Sequence, residues 1–188
     1  MHKITMRSMT FYVLAFINLS GCSNVVEHKT LVYQGENLIT PYSGFLAGWQ
    51  MSVENKENYK VRMWQHPIDG FKNAYVISVT LPINKLADIR QVIDEPGYES
   101  CEKFTTFTLQ SSPNKLYPSE MWQTNCSKKD GSKAEILHLI LQGQDSFYHV
   151  QKIWQGNINA KEIKQWQNRF KQIYLCDSRI TKVICPNN

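Results

Sequence analysis

The sequence lacks the features by which most enzymes and membrane-spanning proteins are recognised. Its longest apolar run, from Met9 to Ile17, has about nine residues, whereas a helix that crosses a bilayer needs about 20. The G-x-S-x-G, H-E-x-x-H, G-x-x-x-x-G-K-[ST] and G-x-G-x-x-G motifs are missing, and so is the C-x-x-C spacing of many zinc and redox sites. We therefore expect no transmembrane helix, no catalytic residue, no structural metal and no cofactor.

The chain also lacks a strong charge bias. It has 21 Lys and Arg against 16 Asp and Glu, which is a formal net charge of +5. Proteins that bind nucleic acid usually carry a strongly basic patch, and so mild a charge does not predict one. Solubility explains the charge adequately, and attraction to anionic lipid headgroups is the weaker alternative. We expect no nucleic-acid partner.

The N-terminus has the layout of a secretory signal. Lys3 and Arg7 accompany the apolar run, whose length lies within the range of about 7 to 15 residues typical of signal peptides. The run Leu19-Ser20-Gly21-Cys22 follows. In these residues the chain resembles the bacterial lipoprotein precursors, whose lipobox is Leu, a small residue, Gly or Ala, and then Cys. The alternative is an ordinary cleaved signal, or an apolar core helix with an unrelated cysteine.

The resemblance implies that Cys22 accepts a diacylglyceryl group and becomes the acylated N-terminus after cleavage. Residues 1–21 are then a signal peptide, 22–30 a lipidated tether and 31–188 a single periplasmic domain with a net charge of +3. Several acyl chains on one residue attach a protein durably to a membrane, which a single chain does not. An Asp after the acylated cysteine tends to retain such lipoproteins in the inner membrane. Since Ser23 stands there, the resemblance favours the outer membrane of the bacterial envelope.

Four cysteines remain for the exported domain, which matures in an oxidising compartment. An even number of thiols there indicates disulfides, and four cysteines allow three connectivities. We prefer Cys101 with Cys126 and Cys176 with Cys185, because each pair is near in sequence and closes a loop rich in turn residues. In the loop-entropy model each bridge stabilises the fold by about 3 kcal/mol.

The residue pattern predicts an α+β fold. Apolar and polar residues alternate in several segments, and Glu135 to Gln142 and Phe147 to Trp154 flank a four-residue turn, which is a hairpin signal. Helical spacing predicts a short helix from Lys85 to about Asp94, ended by Pro96-Gly97, and an amphipathic helix from Ala160 to about Leu175. We expect an antiparallel sheet of about five to seven strands, packed by the C-terminal helix and the shorter one.

Two histidines are a weak candidate for a metal site. If the hairpin turns on Gln144-Asp145, His138 lies opposite Gln151 and shares one face of the sheet with His149. Two histidines without a third ligand rarely make a specific metal site. Hydrogen-bonded sheet histidines are the alternative that we prefer.

Two groups of residues are candidates for contact with a partner. Trp64 alternates with Lys60 and Arg62 on the more polar side of a predicted strand, so it is the best candidate for an exposed contact residue. The polar side of the C-terminal helix is basic, and a solvated face is the alternative there. That side carries Lys161, Lys164, Arg169 and Lys171.

Two classes of function remain. The first is a protein-interaction module, a lipid-tethered domain that binds another envelope protein as an accessory subunit of an envelope machine or as an immunity-type binder. The second is a carrier of a small ligand or lipid, or an enzyme of unfamiliar type, with a pocket between sheet and helix. We prefer the first, because the domain is small and tethered and has no catalytic motif.

Overall fold

The computed structural model describes residues 35–40, 46–83, 86–112, 116–179 and 185. Within these ranges the chain forms nine strands and two helices in an α+β arrangement dominated by antiparallel sheet. The expected signal peptide and tether, with Cys22, lie outside the described residues. In the same ranges no helix is both long and apolar enough to cross a membrane.

Seven of the strands form one antiparallel sheet, within the expected range. All nine described strands, in chain order, are β1 (Glu36–Ile39), β2 (Gln50–Lys56), β3 (Tyr59–His66), β4 (Gly70–Thr80), β5 (Lys103–Ser112), β6 (Ser119–Ser127), β7 (Lys133–Gln142), β8 (Phe147–Gln155) and β9 (Tyr174–Asp177). The order in the main sheet is β2-β3-β4-β8-β7-β6-β5, and β1 pairs with β9 in a separate two-stranded sheet.

The predicted hairpin is confirmed as β7 and β8. His138 pairs with Gln151, and His149 pairs with Ile140, so the expected register is also confirmed. The turn is packed closely, because a Cβ added at Gly143 would lie 1.9 Å from Glu36 Oε1. Only glycine therefore fits at this position of the turn without a shift of its neighbours.

The prediction that Pro96-Gly97 ends the first helix was wrong. The helix α1 (Leu86–Ser100) runs through both residues and, at 15 residues, is longer than the second helix. Its last turn is held by bonds from Ser100 Oγ to Pro96 O and from Cys101 N to Gly97 O. Packing of the helix on the sheet outweighs the local cost of a proline without a backbone N–H.

The second helix, α2 (Ala160–Phe170), begins where the sequence predicts but ends earlier. Asn159 caps it by accepting a hydrogen bond from Lys161 N at 2.9 Å. The segment up to Leu175, expected to be helical, instead enters β9, where Leu175 pairs with Leu38 of β1. Strand pairing and burial of Leu175 therefore override the helical spacing of this segment.

The core lies on both faces of the main sheet. The α2 face is covered by α2 and the β1–β9 sheet, and its cluster includes Tyr75, Tyr148, Trp166 and Phe170. On the α1 face, Ile89 and Ile93 of α1 pack against a cluster that the strands supply. Its buried members are Trp122, Ile140 and Phe147. Because both faces of the central strands are covered, these strands are buried on both sides.

The preferred disulfide pairing is confirmed. Cys101 is bonded to Cys126 with a Cα–Cα distance of 5.4 Å, and Cys176 is bonded to Cys185 with a distance of 5.2 Å. The first bridge joins the end of α1 to β6. The second joins Cys176 of β9 to Cys185.

Candidate functional site

A cleft opens between α1 and the face of the sheet that α1 covers. We call it the α1 cleft, and its cavity volume is about 190 Å³. Most of its wall is apolar, and polar side chains of the central strands form part of its floor. The apolar residues include Met63, Phe71, Ile93, Phe104, Ile136 and Ile153, and the polar ones are Asp94, Thr124, His138, Gln151 and Gln155.

One end of the α1 cleft depends on a close approach between α1 and β5. A Cβ added at Gly97 would lie 2.2 Å from Cε2 of Phe104, so only glycine leaves room for this ring. The ring of Phe104 also meets that of Tyr98 edge to face, with centroids 4.6 Å apart. The Cys101–Cys126 bridge fixes the chain between these two elements. Gly97 and the bridge together shape this wall of the cleft.

A pair of stacked histidines lies beside the cleft floor. His138 Nδ1 is 3.1 Å from His149 Nε2, and His138 Nε2 is 3.2 Å from Thr124 Oγ1. The indole of Trp122 stacks on the His138 ring at 4.6 Å with an interplanar angle of 6°. One proton shared between the two facing ring nitrogens satisfies both imidazoles in their neutral forms.

Burial lowers the pKa of both histidines. His138 is 3% exposed, and its pKa lies well below the usual value, first because of burial and then because of the neighbouring His149 and Arg90 charges. Burial lowers the pKa of His149 to about 3. Near neutral pH the two rings therefore carry no charge and add none to the floor of the cleft.

The negative charge of Asp94, at the edge of the cleft, is balanced by hydrogen bonds and by a nearby arginine. Asp94 accepts hydrogen bonds of 3.0 Å from Trp122 Nε1 and from Thr106 Oγ1. Arg90 lies 3.6 Å from the Asp94 carboxylate and also pairs with Glu120. Since buried charges persist only when paired and hydrogen-bonded, this network holds α1 against β5 and β6. It leaves the cleft apolar with a neutral polar floor.

The comparisons with known proteins leave the function open. Neither a protein-family model nor a curated protein matches the sequence. Among solved structures, the chain is similar to a protein of unknown function from Pseudomonas aeruginosa. The similarity has 8% sequence identity, covers 73% of this chain and 99% of that chain, and has a TM-score of 0.41. At such a score the likeness carries no argument about fold or function.

Trp64 lies on the α2 face and is half-buried. It packs against the core cluster there, with its ring centroid 5.4 Å from that of Tyr75. Lys60 and Arg62 share this face of β3, and the three side chains line a second cavity. A contact role for Trp64 remains a prediction, and any partner would reach it through that cavity.

The basic residues of the C-terminal helix do not form a uniform patch. Lys161, Lys164 and Lys171 are exposed, whereas Arg169 is half-buried with its guanidinium 5.2 Å from the centroid of Trp166. Arg169 therefore also supports the packing of α2. A contact role for this group remains a prediction.

The two histidines meet as the hairpin predicts, but among the described residues no further ligand joins them. In the part of the chain that the structure describes, no group of three or more His, Cys, Asp or Glu residues could hold a metal ion. Their hydrogen bond to each other fits the preferred alternative of sheet histidines.

Sequence reasoning missed a buried lysine on the α2 face. Lys152 is fully buried, donates hydrogen bonds to Asn73 Oδ1 and Ile153 O, and lies among three indole rings. The rings of Trp49, Trp154 and Trp166 are 5.5, 4.4 and 5.1 Å from its ammonium nitrogen. Burial lowers the pKa of Lys152 to about 7, although Glu162 and Asp69 oppose the shift. The sequence contained one indication of this burial. Lys152 lies between Val150 and Trp154 in the period-two pattern of β8, and alternate residues of a strand share one face.

Proposed function

We propose that this protein is a bacterial envelope lipoprotein, attached by lipid on Cys22, whose domain binds another envelope protein. The signal-like N-terminus and the run Leu19-Ser20-Gly21-Cys22 support the lipid anchor. A tether of about nine residues keeps the domain near the membrane, within about 30 Å of the acylated cysteine. Its partners are therefore proteins of the same membrane or proteins that reach it through the periplasm.

The α1 cleft is the observation that carries the binding role. Pockets for small molecules usually have about 300 to 1,000 Å³, whereas this cleft has about 190 Å³. A space of this size suits one large side chain of a partner. Protein interfaces are commonly dominated by a few aromatic anchors that fill such pockets.

The floor of the cleft refines the expected anchor. Phe71 and Ile136 supply apolar wall, while Gln151 and Gln155 supply hydrogen-bonding groups. An anchor with an apolar body and a polar end, such as Tyr or Trp, satisfies both parts of this surface. A charged side chain is disfavoured, because the described lining offers no free counter-charge: Asp94 is already paired with Arg90.

The test is a pull-down from detergent-solubilised envelopes with the lipidated protein as bait. We expect one stoichiometric protein partner for the wild type, and loss of that partner for Ala134→Phe, which places a ring in the cleft. Phe71→Ser removes apolar wall and is expected to weaken capture by about tenfold, because Phe71 is 42% exposed and lines the cleft. Circular dichroism checks that both variants are folded.

Two controls separate the alternatives. The double variant Lys161→Ala, Lys164→Ala changes exposed cations on the other side of the domain and is expected to retain the partner. If this variant loses the partner while Ala134→Phe keeps it, the basic helix and not the cleft is the contact. Recovery of a co-purifying metabolite or lipid without a protein partner would refute the interaction module in favour of a carrier.

The anchor has its own test. Mass spectrometry of the mature N-terminus is expected to find Cys22 as the first residue with a diacylglyceryl modification and an added acyl chain. Cys22→Ala should abolish the modification and release the protein from membranes. An unmodified N-terminus at another residue would refute the lipid anchor and leave the cleft proposal intact.

A further inference from the structure

A second cavity lies on the α2 face, on the opposite side of the main sheet from the α1 cleft. We call it the β3 groove, and its volume is about 250 Å³. Ile77 and Val79 of β4 form its floor, Leu38 of β1 borders one side, and residues of β3 border the other. The β3 residues are Lys60, Arg62 and Trp64.

Two positive charges line the groove, and neither of them is ion-paired within the described ranges. Among the described residues, neither Lys60 nor Arg62 has an acidic partner, although both lie on one face of β3 about 7 Å apart. Burial lowers the pKa of Lys60, and the positive charge of Arg62 lowers it further. An anion placed between the two would relieve this repulsion.

Neither of the acidic side chains nearby is ion-paired with Lys60 or Arg62. Glu36 borders the groove; its Oε2 accepts a hydrogen bond of 2.7 Å from Gln144 N, while its Oε1 is buried with no hydrogen-bond partner among the described residues. Glu54 on the neighbouring strand accepts a hydrogen bond from Tyr59 and pairs with Lys56. The groove is therefore positively charged along β3.

The rest of the groove combines apolar and polar surface. Trp64, Leu38, Ile77 and Val79 form its apolar wall, and Asn37 and Thr40 add polar groups. A free inorganic anion would leave this wall in contact with water. A ligand with an apolar body covers it.

We infer that the β3 groove binds a small amphiphile with an anionic head, which is a carboxylate or a phosphate. The head lies between Lys60 and Arg62, and the short apolar body lies on Trp64 and the floor of the groove. Charge complementarity selects the head, because charge-assisted hydrogen bonds to a guanidinium and an ammonium are stronger than neutral ones. Burial of apolar surface selects the body. The site is separate from the α1 cleft and does not depend on it.

The test is titration calorimetry of the purified protein in lipid nanodiscs, with empty nanodiscs as the reference. The probes are hexanoate and hexyl phosphate, which carry head and body, 1-hexanol, which lacks the charge, and inorganic phosphate, which lacks the body. We expect hexanoate or hexyl phosphate to bind at least about tenfold more tightly than 1-hexanol and inorganic phosphate. The stronger of the two distinguishes a carboxylate head from a phosphate head.

Variants locate the binding. The double variant Lys60→Gln, Arg62→Gln is expected to lose at least about tenfold in affinity for the amphiphile, while Lys161→Gln, Lys164→Gln leaves it unchanged. Trp64→Leu should weaken hexanoate and leave inorganic phosphate unaffected. Equal binding of 1-hexanol and hexanoate, or full affinity in the Lys60 and Arg62 double variant, would overturn the inference. Failure of every probe to bind would overturn it as well.

Discussion

The buried histidine pair should make the stability of this protein sensitive to mild acid. His149 is hydrogen-bonded to His138 in a neutral pair, and burial lowers its pKa from 6.5 to about 3. In the unfolded chain the same ring titrates near 6.5. Between pH 6.5 and 3 the unfolded state therefore binds a proton that the folded state does not, and the free energy of unfolding falls as the pH falls.

The size of the effect follows from the shift. Each pH unit below 6.5 costs about 1.4 kcal/mol for one such histidine, so His149 alone accounts for about 2 kcal/mol between pH 7.5 and 5.0. Since part of the His149 side chain remains exposed, this value is an upper one. His138 adds to the loss in the same direction, because its pKa is also lowered. For a domain of this size, about 2 kcal/mol lowers Tm by about 4 to 8 °C.

The assay is urea denaturation at pH 7.5 and 5.0 for the wild type and for His149→Gln. Glutamine retains a hydrogen-bonding group but does not titrate, so the variant should lose about 2 kcal/mol less than the wild type between the two pH values. Comparing the two proteins removes the contribution of carboxylates that titrate in both. His66→Gln, a histidine beside a surface turn and outside the pair, is the matched control.

One result would refute this reasoning. If His149→Gln and the wild type lose the same stability on acidification, the histidine is either accessible to protons in the folded state or already charged there. A wild type that gains stability toward pH 5.0, with the gain lost in His149→Gln, would show that the pair is charged and stabilised by a neighbouring acid.

Three further predictions concern the stability contributed by the Gly97 contact, by the second disulfide and by Lys152 on the α2 face. Gly97→Ala should lower the free energy of unfolding by about 1 to 3 kcal/mol in urea denaturation, because the new methyl would meet Phe104; an unchanged midpoint would mean that the ring moves freely. Replacing Cys176 and Cys185 by serine should cost about 2 to 3 kcal/mol in the same assay, and no loss would show that the tail loop is independent of the core. Burial lowers the pKa of Lys152 to about 7, whereas a lysine of the unfolded chain titrates near 10.4. From pH 7 toward 10 the unfolded state therefore binds the extra proton, and the free energy of unfolding should rise by about 1.4 kcal/mol per pH unit. Lys152→Met should remove this rise, and an identical slope in the variant would contradict burial of the neutral amine.

The local patterns that were predictable are those set by neighbouring residues. The β7–β8 hairpin has a four-residue turn and two alternating segments, so its register and the meeting of His138 and His149 follow from loop length alone. The disulfide pairs follow from nearness in sequence. The N-cap at Asn159 follows from its side chain and position.

The features that sequence reasoning missed depend on contacts between distant segments. The helix α1 passes through Pro96 because the sheet below it stabilises the whole helix, and no local rule contains that contribution. Leu175 joins a strand because β1, far away in sequence, pairs with it. Lys152 is buried because α2 covers that face of β8, so a residue whose charge alone indicates exposure lies among indole rings. The two cavities are likewise products of packing.

The pairing of β4 with β8 sets the order in which the domain can assemble. All other neighbours in the main sheet are consecutive along the chain, so the groups β2-β3-β4 and β5-β6-β7-β8 can each form by local strand pairing. The β4–β8 pairing, which we call the seam, joins the two groups by bringing Thr80 to Phe147 and Asn73 to Trp154. Closing so long a loop costs conformational entropy before those contacts form. Until the seam closes, both halves present unpaired strand edges. The rate of this one step therefore governs how long the nascent domain is exposed to aggregation.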